Sequence, residues 1–314
     1  MSVSEVKHSV KKMSITKLTI IIISIIIALT LIVCSAISAY TGLNLLRPDK
    51  KTIDVSPSDI GFNYQDIKIL SEDGETKLSG WVLDPEVQPK MNLIFAHGYG
   101  ENRIEEGMPF FSLADVLIKK GYRIITFDFR HSGNSEGDMT TIGIKEKLDL
   151  LGVINWTKNN YKEPIGLLGV SMGASTSLLA GAESKDVIAV VADSPFSDLH
   201  DYLKENMTKW SDLPSFPFTP LILTIIPLMT NLDLYDASPI NLLNKLANRP
   251  VLFIHNSGDD LIPYSESEKM VQKYPESFSF WLTDGDGHVE SYKQNSDEYI
   301  KRVDEFFESA LESQ

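Results

Sequence analysis

From Asn92 onward, short apolar runs alternate with longer amphipathic stretches, and no other feature constrains the possible folds of this chain as strongly. The apolar runs have the length and composition of buried strands, and the stretches between them have the length of helices. The runs are NLIFAH, YRIITFDF, PIGLLGV, VIAVVADS, PVLFIHNS and SFSFWL. Alternating strands and helices form a mostly parallel sheet with helices on both faces. We therefore predict an α/β fold with a doubly wound sheet.

Two alternating stretches, DIKIL and KLSGWVLD, precede this region and are separated by SEDGE. Alternation on either side of a short loop that contains glycine predicts a β-hairpin. The hairpin and the alternating region together predict one α/β domain at residues 62–314.

The connection between ADSPFSD and RPVLFIH is about fifty residues long, which is too long for a single crossover helix. Prolines interrupt its apolar part, LPSFPFTPLILTIIPLMTNLDL, at four positions: Pro214, Pro217, Pro220 and Pro227. We predict an inserted cap of short helices at about residues 196–247. The run LILTIIPLM is too short for a membrane span.

The segment Leu18–Ala39 has no charged residue over 22 positions, enough for one transmembrane helix. Its isoleucine-rich sequence has no polar face, which is more typical of a membrane-spanning helix than of a buried helix in a soluble protein. Four lysines precede it within residues 1–17, whereas Arg47, Lys50 and Lys51 follow it. The positive-inside rule then slightly favours residues 1–17 as cytoplasmic and the rest of the chain as extracytoplasmic.

A cleaved signal peptide is the alternative for this segment, because SAISAY offers small residues to a peptidase and cleavage would give a secreted form. The apolar core of a signal peptide usually spans about 7–15 residues, and this one is longer. We therefore predict an uncleaved, single-pass cell-membrane anchor at residues 18–39. The polar, proline-bearing residues 40–61 are predicted to be a linker.

Charge and cysteine content exclude several classes of site. The formal net charge is −14 and no basic stripe is present, which argues against a nucleic-acid partner. The single cysteine, Cys34, lies inside the apolar segment, so the remaining chain offers no disulfide or thiolate cluster. The histidines are scattered without a metal-binding spacing, and we predict neither a metal nor a cofactor.

The pentad GVSMG places Ser171 between two glycines, after a predicted strand and before a predicted helix. A Gly-x-Ser-x-Gly match alone is a weak motif, but the sharp strand-to-helix turn is where a nucleophilic serine is expected. Gly169 and Gly173 would allow close packing of the neighbouring chain at this turn. Ser171 is therefore our candidate nucleophile.

A serine hydroxyl needs a base to take its proton and an acid to orient that base. Of the six histidines, His288 follows the last predicted strand and fits the chain order Ser, Asp, His. The acid is Asp259 or Asp260, both of which follow the strand PVLFIH. Because catalytic groups of open α/β sheets lie at the carboxyl ends of strands, these positions favour catalysis over a simple turn.

Acyl transfer also needs hydrogen-bond donors for the oxyanion that develops in the transition state. The backbone N–H of Met172 is one candidate, because Met172 starts the helix after Ser171. The N–H of Tyr99, in the loop HGYG, is the other candidate, and His97 is predicted to brace that loop.

The segments HGYG, DFRHSGNSEG, GVSMG, DSPFSD, GDDLIP and GHVES together resemble the α/β-hydrolase superfamily. They are more narrowly similar to bacterial serine hydrolases related to prolyl oligopeptidase-like and feruloyl-esterase-like enzymes. The resemblance covers nearly everything from Phe62 on, and it implies the α/β-hydrolase fold with a helical cap.

The resemblance also bears on individual residues. The acid of the family usually stands four residues before the proline of this loop, which implies Asp259 before Pro263. It likewise implies oxyanion donors at Tyr99 and Met172. The family uses the turn in DFRHSGNSEG for packing near the site, so Ser135 is not expected to be a rival nucleophile.

We therefore predict a serine hydrolase that cleaves an ester, thioester or small amide of a small-molecule acyl substrate. The same triad would serve a peptidase or an acyltransferase, because water, an alcohol or an amine can intercept an acyl-enzyme. A non-enzymatic surface protein on a hydrolase scaffold is the alternative from a different class. Six apolar cap residues could wall an acyl pocket, pack on the body or face the bilayer: Phe216, Phe218, Leu221, Leu223, Ile225 and Leu228.

Overall fold

The computed structural model describes residues 13–313, so most of the predicted cytoplasmic segment, residues 1–12, lies outside the described residues. Within the described range, eight strands form one sheet in the order β1-β2-β4-β3-β5-β6-β7-β8. The strands are β1 (Tyr64–Leu70), β2 (Lys77–Leu83), β3 (Met91–Ala96), β4 (Tyr122–Phe127), β5 (Ile165–Val170), β6 (Val187–Asp193), β7 (Val251–Gly258) and β8 (Phe278–Asp286).

The helices of the described residues connect these strands and extend the chain at both ends. They are α1 (Ile15–Leu45), α2 (Phe110–Lys119), α3 (Glu146–Asn160), α4 (Met172–Glu183), α5 (Leu199–Ser211), α6 (Ser215–Thr230), α7 (Ser265–Val271), α8 (Ser291–Gln294) and α9 (Ser296–Glu312). Short 3₁₀ helices lie at Pro57–Ile60, Leu234–Ala237, Pro239–Asn241 and Leu243–Lys245.

The central strands are apolar throughout because both faces of the sheet are covered. Leu167 and Val190 belong to a core cluster that contains residues of α3 and α4. The alternate residues Leu168 and Val191 point to the opposite face, into a cluster with residues of α2 and α9. Strands β3 to β8 pair in parallel. The predicted α/β fold with a mostly parallel, doubly wound sheet is confirmed.

The first two strands form the predicted hairpin at one edge of the sheet. β1 and β2 pair antiparallel, with Tyr64 opposite Leu83 and Leu70 opposite Lys77. β2 then pairs antiparallel with β4, which joins the hairpin to the parallel part of the sheet. The turn after Leu70 is held by Asp73, whose carboxylate accepts hydrogen bonds from two N–H groups of the loop.

The connection between β6 and β7, where a helical cap is predicted, contains two helices and three 3₁₀ turns. α5 and α6 are joined by a short break and lie at 118° to each other, and the 3₁₀ turns lead back to β7. The 31-residue helix α1 is long and apolar enough to cross a membrane, and none of its most apolar window is buried. α1 continues to Leu45, six residues beyond the predicted end of the apolar segment at Ala39. Its last turns pack against α6.

Candidate active site

Ser171 lies on a sharp turn between β5 and α4. Its backbone has φ 52° and ψ −121°, a left-handed conformation that costs a residue with a side chain about 1–3 kcal/mol. The turn is closely packed, because a Cβ atom at Gly173 would overlap the backbone carbonyl of Ala96. A Cβ atom at Gly169 would overlap the carbonyl of Gly173 in the same way. The two glycines thus let the turn pass close to its neighbours.

The structure brings Ser171, His288 and Asp259 together in one chain of hydrogen bonds. The Nε2 atom of His288 lies 2.7 Å from Oγ of Ser171. The Nδ1 atom of the same ring lies 2.7 Å from Oδ2 of Asp259. Each residue follows a different strand at the same edge of the sheet, because β5, β7 and β8 run parallel.

Asp259 is held as a carboxylate by several donors. Its Oδ1 accepts hydrogen bonds from the N–H groups of Leu261 and Ile262, at 3.0 and 2.9 Å. Nε2 of His255 lies 3.3 Å from Oδ2. Burial alone would raise the pKa of Asp259, but hydrogen bonds from His255 and His288 and from the Ile262 N–H outweigh it and lower the pKa to about 2. A carboxylate in this state can hold the proton of the His288 ring on Nδ1.

The neighbouring Asp260, the other acid that the sequence leaves open, has a different position. Its side chain is exposed, and its backbone carbonyl accepts a hydrogen bond from Lys209. The contacts to His288 are made by Asp259. The structure therefore places Asp259, and not Asp260, beside the imidazole.

The loop after β3 lies beside Ser171. A Cβ atom at Gly98 would be 3.5 Å from the Cβ atom of Ser171. The next residue is Tyr99, whose hydroxyl donates a 2.5 Å hydrogen bond to the carbonyl of Leu45. On the other side, Met172 is the first residue of α4, where a backbone N–H has no acceptor within the helix. Both residues predicted as oxyanion donors thus lie next to the Ser171 turn.

His97 fixes the shape of the same loop. Its Nε2 accepts a hydrogen bond from the N–H of Phe129 at 3.0 Å, so Nδ1 carries the proton and donates to the carbonyl of Gly98 at 2.7 Å. Burial lowers the pKa of His97 to about 4, which keeps the ring neutral. His97 therefore has the bracing contacts that the sequence predicts for it.

Glu105 is a residue of this loop that sequence reasoning missed. Its buried carboxyl accepts a 2.6 Å hydrogen bond from the N–H of Gly98. Burial, with the nearby charge of Glu101, raises the pKa of Glu105 to about 8, although the N–H groups of Gly98 and Gly107 oppose the change. The local sequence ENRIEEG is rich in acids and contains no sign that one of them is buried.

The Glu105→Gln variant should lose less stability at alkaline pH than the wild type. In the folded chain the pKa of Glu105 is raised from its ordinary value of 4.5 to about 8. The protonated carboxyl of Glu105 therefore stabilises the folded chain fully below pH 4.5, and this stabilisation is lost as the pH rises through about 8. The loss has an upper bound of about 5 kcal/mol. Glutamine keeps an oxygen for the Gly98 N–H and does not ionise, so it removes this dependence.

Denaturant unfolding from about pH 5 to pH 9 measures the effect, because each midpoint reports the free energy of unfolding. Glu106→Gln is the matched control, since the Glu106 side chain is 62% exposed, and its stability should follow that of the wild type. Equal loss of stability in wild type and Glu105→Gln would contradict the buried, protonated state of Glu105.

Ser135 lies in a second pentad of the same type, GNSEG. Its Oγ donates a 2.6 Å hydrogen bond to the carbonyl of Asp128 and accepts a 2.9 Å hydrogen bond from the N–H of Ser79. Ser135 is buried, and these contacts connect its turn to β2. The packing role that the resemblance implies for Ser135 fits these contacts.

An apolar pocket opens beside Ser171. Its lining includes six apolar or aromatic side chains, Leu45, Tyr99, Phe196, Tyr202, Trp210 and Ile262, and every described residue that lines it is uncharged. The cap contributes through α5, whereas Phe216 and Leu228, two of the α6 residues expected as a possible pocket wall, are 84% and 80% exposed. The described residues that line this pocket include none of the six apolar cap residues, whereas one of the six, Leu223, lines a neighbouring cavity.

Part of the chain matches a known family model, and most of it matches a curated relative. A family model for X-Pro dipeptidyl-peptidases of the S15 family matches residues 64–217. The uncharacterized protein YqkD of Bacillus subtilis is 31% identical over 268 residues, which cover 84% of this chain and 81% of YqkD.

Solved structures agree with this assignment. The esterase Pf2001 of Pyrococcus furiosus is 30% identical with a TM-score of 0.70, and the match covers 84% of this chain and 98% of the esterase. The acylaminoacyl peptidase of Pyrococcus horikoshii is 20% identical with a TM-score of 0.61, and the match covers 80% of this chain and 42% of the peptidase. This likeness shows a shared fold. The predicted family resemblance is confirmed, and this chain belongs to the α/β-hydrolase superfamily, with an esterase among its relatives of known structure.

Proposed function

We propose that this chain is a serine hydrolase that cleaves carboxylic esters through an acyl-enzyme formed on Ser171. The observation that carries the proposal is the unbroken chain from Ser171 Oγ through the His288 ring to Asp259, with both contacts at 2.7 Å. A nucleophile, a base and an orienting acid in this order are the parts that acyl transfer needs.

The reaction follows from the positions of these atoms. As the Ser171 Oγ attacks the ester carbonyl, Nε2 of His288 takes the hydroxyl proton and the carbonyl oxygen becomes an oxyanion. Collapse of the intermediate breaks the ester C–O bond, and His288 returns the proton to the leaving alcohol. Water then attacks the acyl-enzyme by the same route, releasing the acid and restoring the Ser171 hydroxyl.

The oxyanion is proposed to bind the N–H groups of Tyr99 and Met172. Preorganised donors of this kind are worth about 3–4 kcal/mol each in related chemistry. The support is geometric, because Gly98 lies against Ser171 and Met172 begins α4. His97 donates to the carbonyl of Gly98 and Glu105 accepts from the N–H of Gly98, and these contacts hold the loop in place.

An ester with an apolar acyl group fits the pocket better than a peptide does. A peptide substrate of an exopeptidase presents a charged terminus, which needs an opposite charge when it is buried. The residues that line the pocket beside Ser171 are uncharged. The 30% identity to an esterase points in the same direction.

We propose further that α1 is a retained membrane anchor and that the catalytic domain is extracytoplasmic. The support is the length and exposed apolar surface of α1, together with the lysines that precede it in the sequence. Both features also fit a signal sequence. N-terminal sequencing of the protein isolated from the membrane fraction tests the proposal: an N-terminus after Ala39 would contradict it.

The full-length protein in detergent should react with a fluorophosphonate probe and hydrolyse p-nitrophenyl esters. We expect kcat/KM for an ester to exceed that for the matched aminoacyl p-nitroanilide by at least about tenfold, which corresponds to about 1.4 kcal/mol in transition-state stabilisation. A higher kcat/KM for the amide would favour a peptidase. If the protein shows neither labelling nor hydrolysis, the proposed chemistry is contradicted altogether.

A further inference from the structure

We propose that Gly42, Leu45 and Leu46, at the end of α1 and its C-cap, form part of the acyl-binding site, and that this site takes a single long alkyl chain lying between α1 and the cap. The inference rests on the proposed ester hydrolysis and adds its substrate class, esters of long-chain fatty acids. It concerns a segment that the sequence places outside the catalytic domain.

The end of α1 is packed on the cap through one face. Ser38, Gly42 and Leu46 are buried, and their spacing of four residues places them on the same side of the helix. A Cβ atom at Gly42 would overlap the side chain of Ile226 in α6. Glycine therefore allows α1 and α6 to approach closely at this level.

Hydrogen bonds fasten the same region to the body of the domain. The Tyr99 hydroxyl donates to the carbonyl of Leu45, and the N–H of Thr140 donates to the carbonyl of Leu46 at 2.9 Å. Burial raises the pKa of the Tyr99 hydroxyl to about 12, so it remains a proton donor at neutral pH. Lys51 also forms a 2.6 Å ion pair with Glu101. The helix end thus has a fixed position relative to Ser171.

Leu45 links two apolar cavities. The first contains Ser171 and is lined on one side by Leu45. The second lies between α1 and α6, where Gly42 and Ile226 line it, and it shares Leu45, Ile142 and Leu203 with the first. Because the cavities share three lining residues, they are neighbours, and the proposed alkyl chain would follow an apolar path from Ser171 past Leu45 along the end of α1.

The lining of the path suits an alkyl chain. Of the described residues along the second cavity, all are uncharged, and most are leucine or isoleucine. Buried apolar surface contributes about 0.8 kcal/mol for each methylene that it covers. A chain too short to pass Leu45 gains little from this path, whereas a long chain contacts α1 and α6 along its length.

The location of the path agrees with a lipid-like substrate. If residues 18–39 span the hydrocarbon core, Leu45 lies six residues further on, at about 9 Å by the helical rise of 1.5 Å per residue. The polar layer of each leaflet is about 5–8 Å thick, so the path begins close to the membrane surface. α6 also exposes Phe216, Leu228 and Met229 to its surroundings.

The test compares acyl-chain preference in the full-length protein reconstituted in phosphatidylcholine vesicles. We expect wild-type protein to prefer p-nitrophenyl palmitate to p-nitrophenyl acetate. In Leu45→Trp the indole blocks the path, and the palmitate-to-acetate ratio of kcat/KM should fall at least tenfold. In Leu45→Ala the loss of apolar contact should lower the ratio at least threefold. Because alanine is smaller than leucine and overpacks nothing, this variant tests the inference even if Leu45→Trp does not fold.

Asn44→Trp is the matched control, because Asn44 is the exposed neighbour of Leu45 on the same turn, and its ratio should match that of wild type. Labelling of each variant by a short fluorophosphonate reports an intact Ser171 site. A ratio that is unchanged in both Leu45 variants overturns the inference and leaves ester hydrolysis standing. Absence of labelling and of acetate hydrolysis in the wild type instead overturns the proposed function on which the inference rests.

A second experiment locates the chain directly. A long-chain alkyl fluorophosphonate with a terminal diazirine should bond to Ser171, and after irradiation it should crosslink to residues 42–46 or to the α6 segment around Ile226. Mass spectrometry of the peptides identifies both attachments. Attachment at Ser171 with crosslinks confined to other segments would overturn the path along α1.

Discussion

Replacing Ser171 by alanine should lower ester hydrolysis by about 10⁴- to 10⁶-fold in kcat, the range for loss of a triad nucleophile. The residual rate would come from the oxyanion donors and from substrate binding alone. The fold should survive, because the Ser171 N–H, which donates to the carbonyl of Asp193 at 2.8 Å, belongs to the backbone and is kept. Circular dichroism and a thermal melt check the fold, and single-turnover hydrolysis of a p-nitrophenyl ester measures the loss.

The Ser135→Ala variant is the control for this experiment, since Ser135 occupies the other Gly-x-Ser-x-Gly pentad of the chain. Its loss removes two buried hydrogen bonds and should lower the free energy of unfolding by about 1–3 kcal/mol. Ester hydrolysis per folded molecule should stay within about threefold of wild type. The opposite pattern, in which Ser135→Ala abolishes hydrolysis and Ser171→Ala does not, would refute the assignment of the nucleophile.

Asp259→Asn should lower kcat by about 10⁴-fold while leaving the shape of the site nearly unchanged. The Asn side chain can donate its amide hydrogen to Nδ1 of His288, which then leaves the ring proton on Nε2. A ring protonated on Nε2 cannot accept the hydroxyl proton of Ser171. The loss is measured as kcat at saturating ester, and labelling by the fluorophosphonate should slow in parallel.

The same substitution should also remove a pH-dependent part of the stability. The pKa of Asp259 is lowered from 3.8 to about 2, so the carboxylate stabilises the folded chain above pH 3.8, and that stabilisation is lost as the pH falls through about 2. The contribution at neutral pH is about 2 kcal/mol. Unfolding at pH 7 should therefore show a lower free energy in Asp259→Asn than in wild type.

Asp260→Asn separates the two neighbouring acids. The exposed Asp260 side chain has no part in the contacts to His288, and this variant should keep both the wild-type rate and the wild-type stability. Loss of activity in Asp260→Asn with retention in Asp259→Asn would exchange their proposed roles.

The sequence predicted those features that depend on local pattern and chain order. The strand before Ser171 is a continuous apolar run because β5 is buried on both faces, and such runs are visible without a structure. Parallel strands end at one edge, so polar residues after consecutive strands converge there. Ser171, Asp259 and His288 could be grouped by this rule, and their distances now supply the geometry for a proposal.

The features that the sequence did not predict depend on contacts between distant segments. Glu105 is buried because the loop after β3 folds its carboxyl under Gly98, whereas Glu106 beside it is exposed. The sequence alone does not indicate which of these two adjacent glutamates is buried. Leu45 lines the pocket because α1 continues past Ala39 and packs on α6, a contact between residues far apart in the chain.

The position of Leu45 bears on what happens to the chain if a peptidase removes its apolar segment. The small residues of SAISAY end at Ala39, and cleavage there would leave Gly42, Leu45 and Leu46 attached to the domain. The contacts from Tyr99 and Thr140 to the helix end would remain in the shortened chain. Tethered and released forms would then carry the same proposed acyl site, so processing of the N-terminus would change where the chain meets its proposed substrate and not which substrate it accepts.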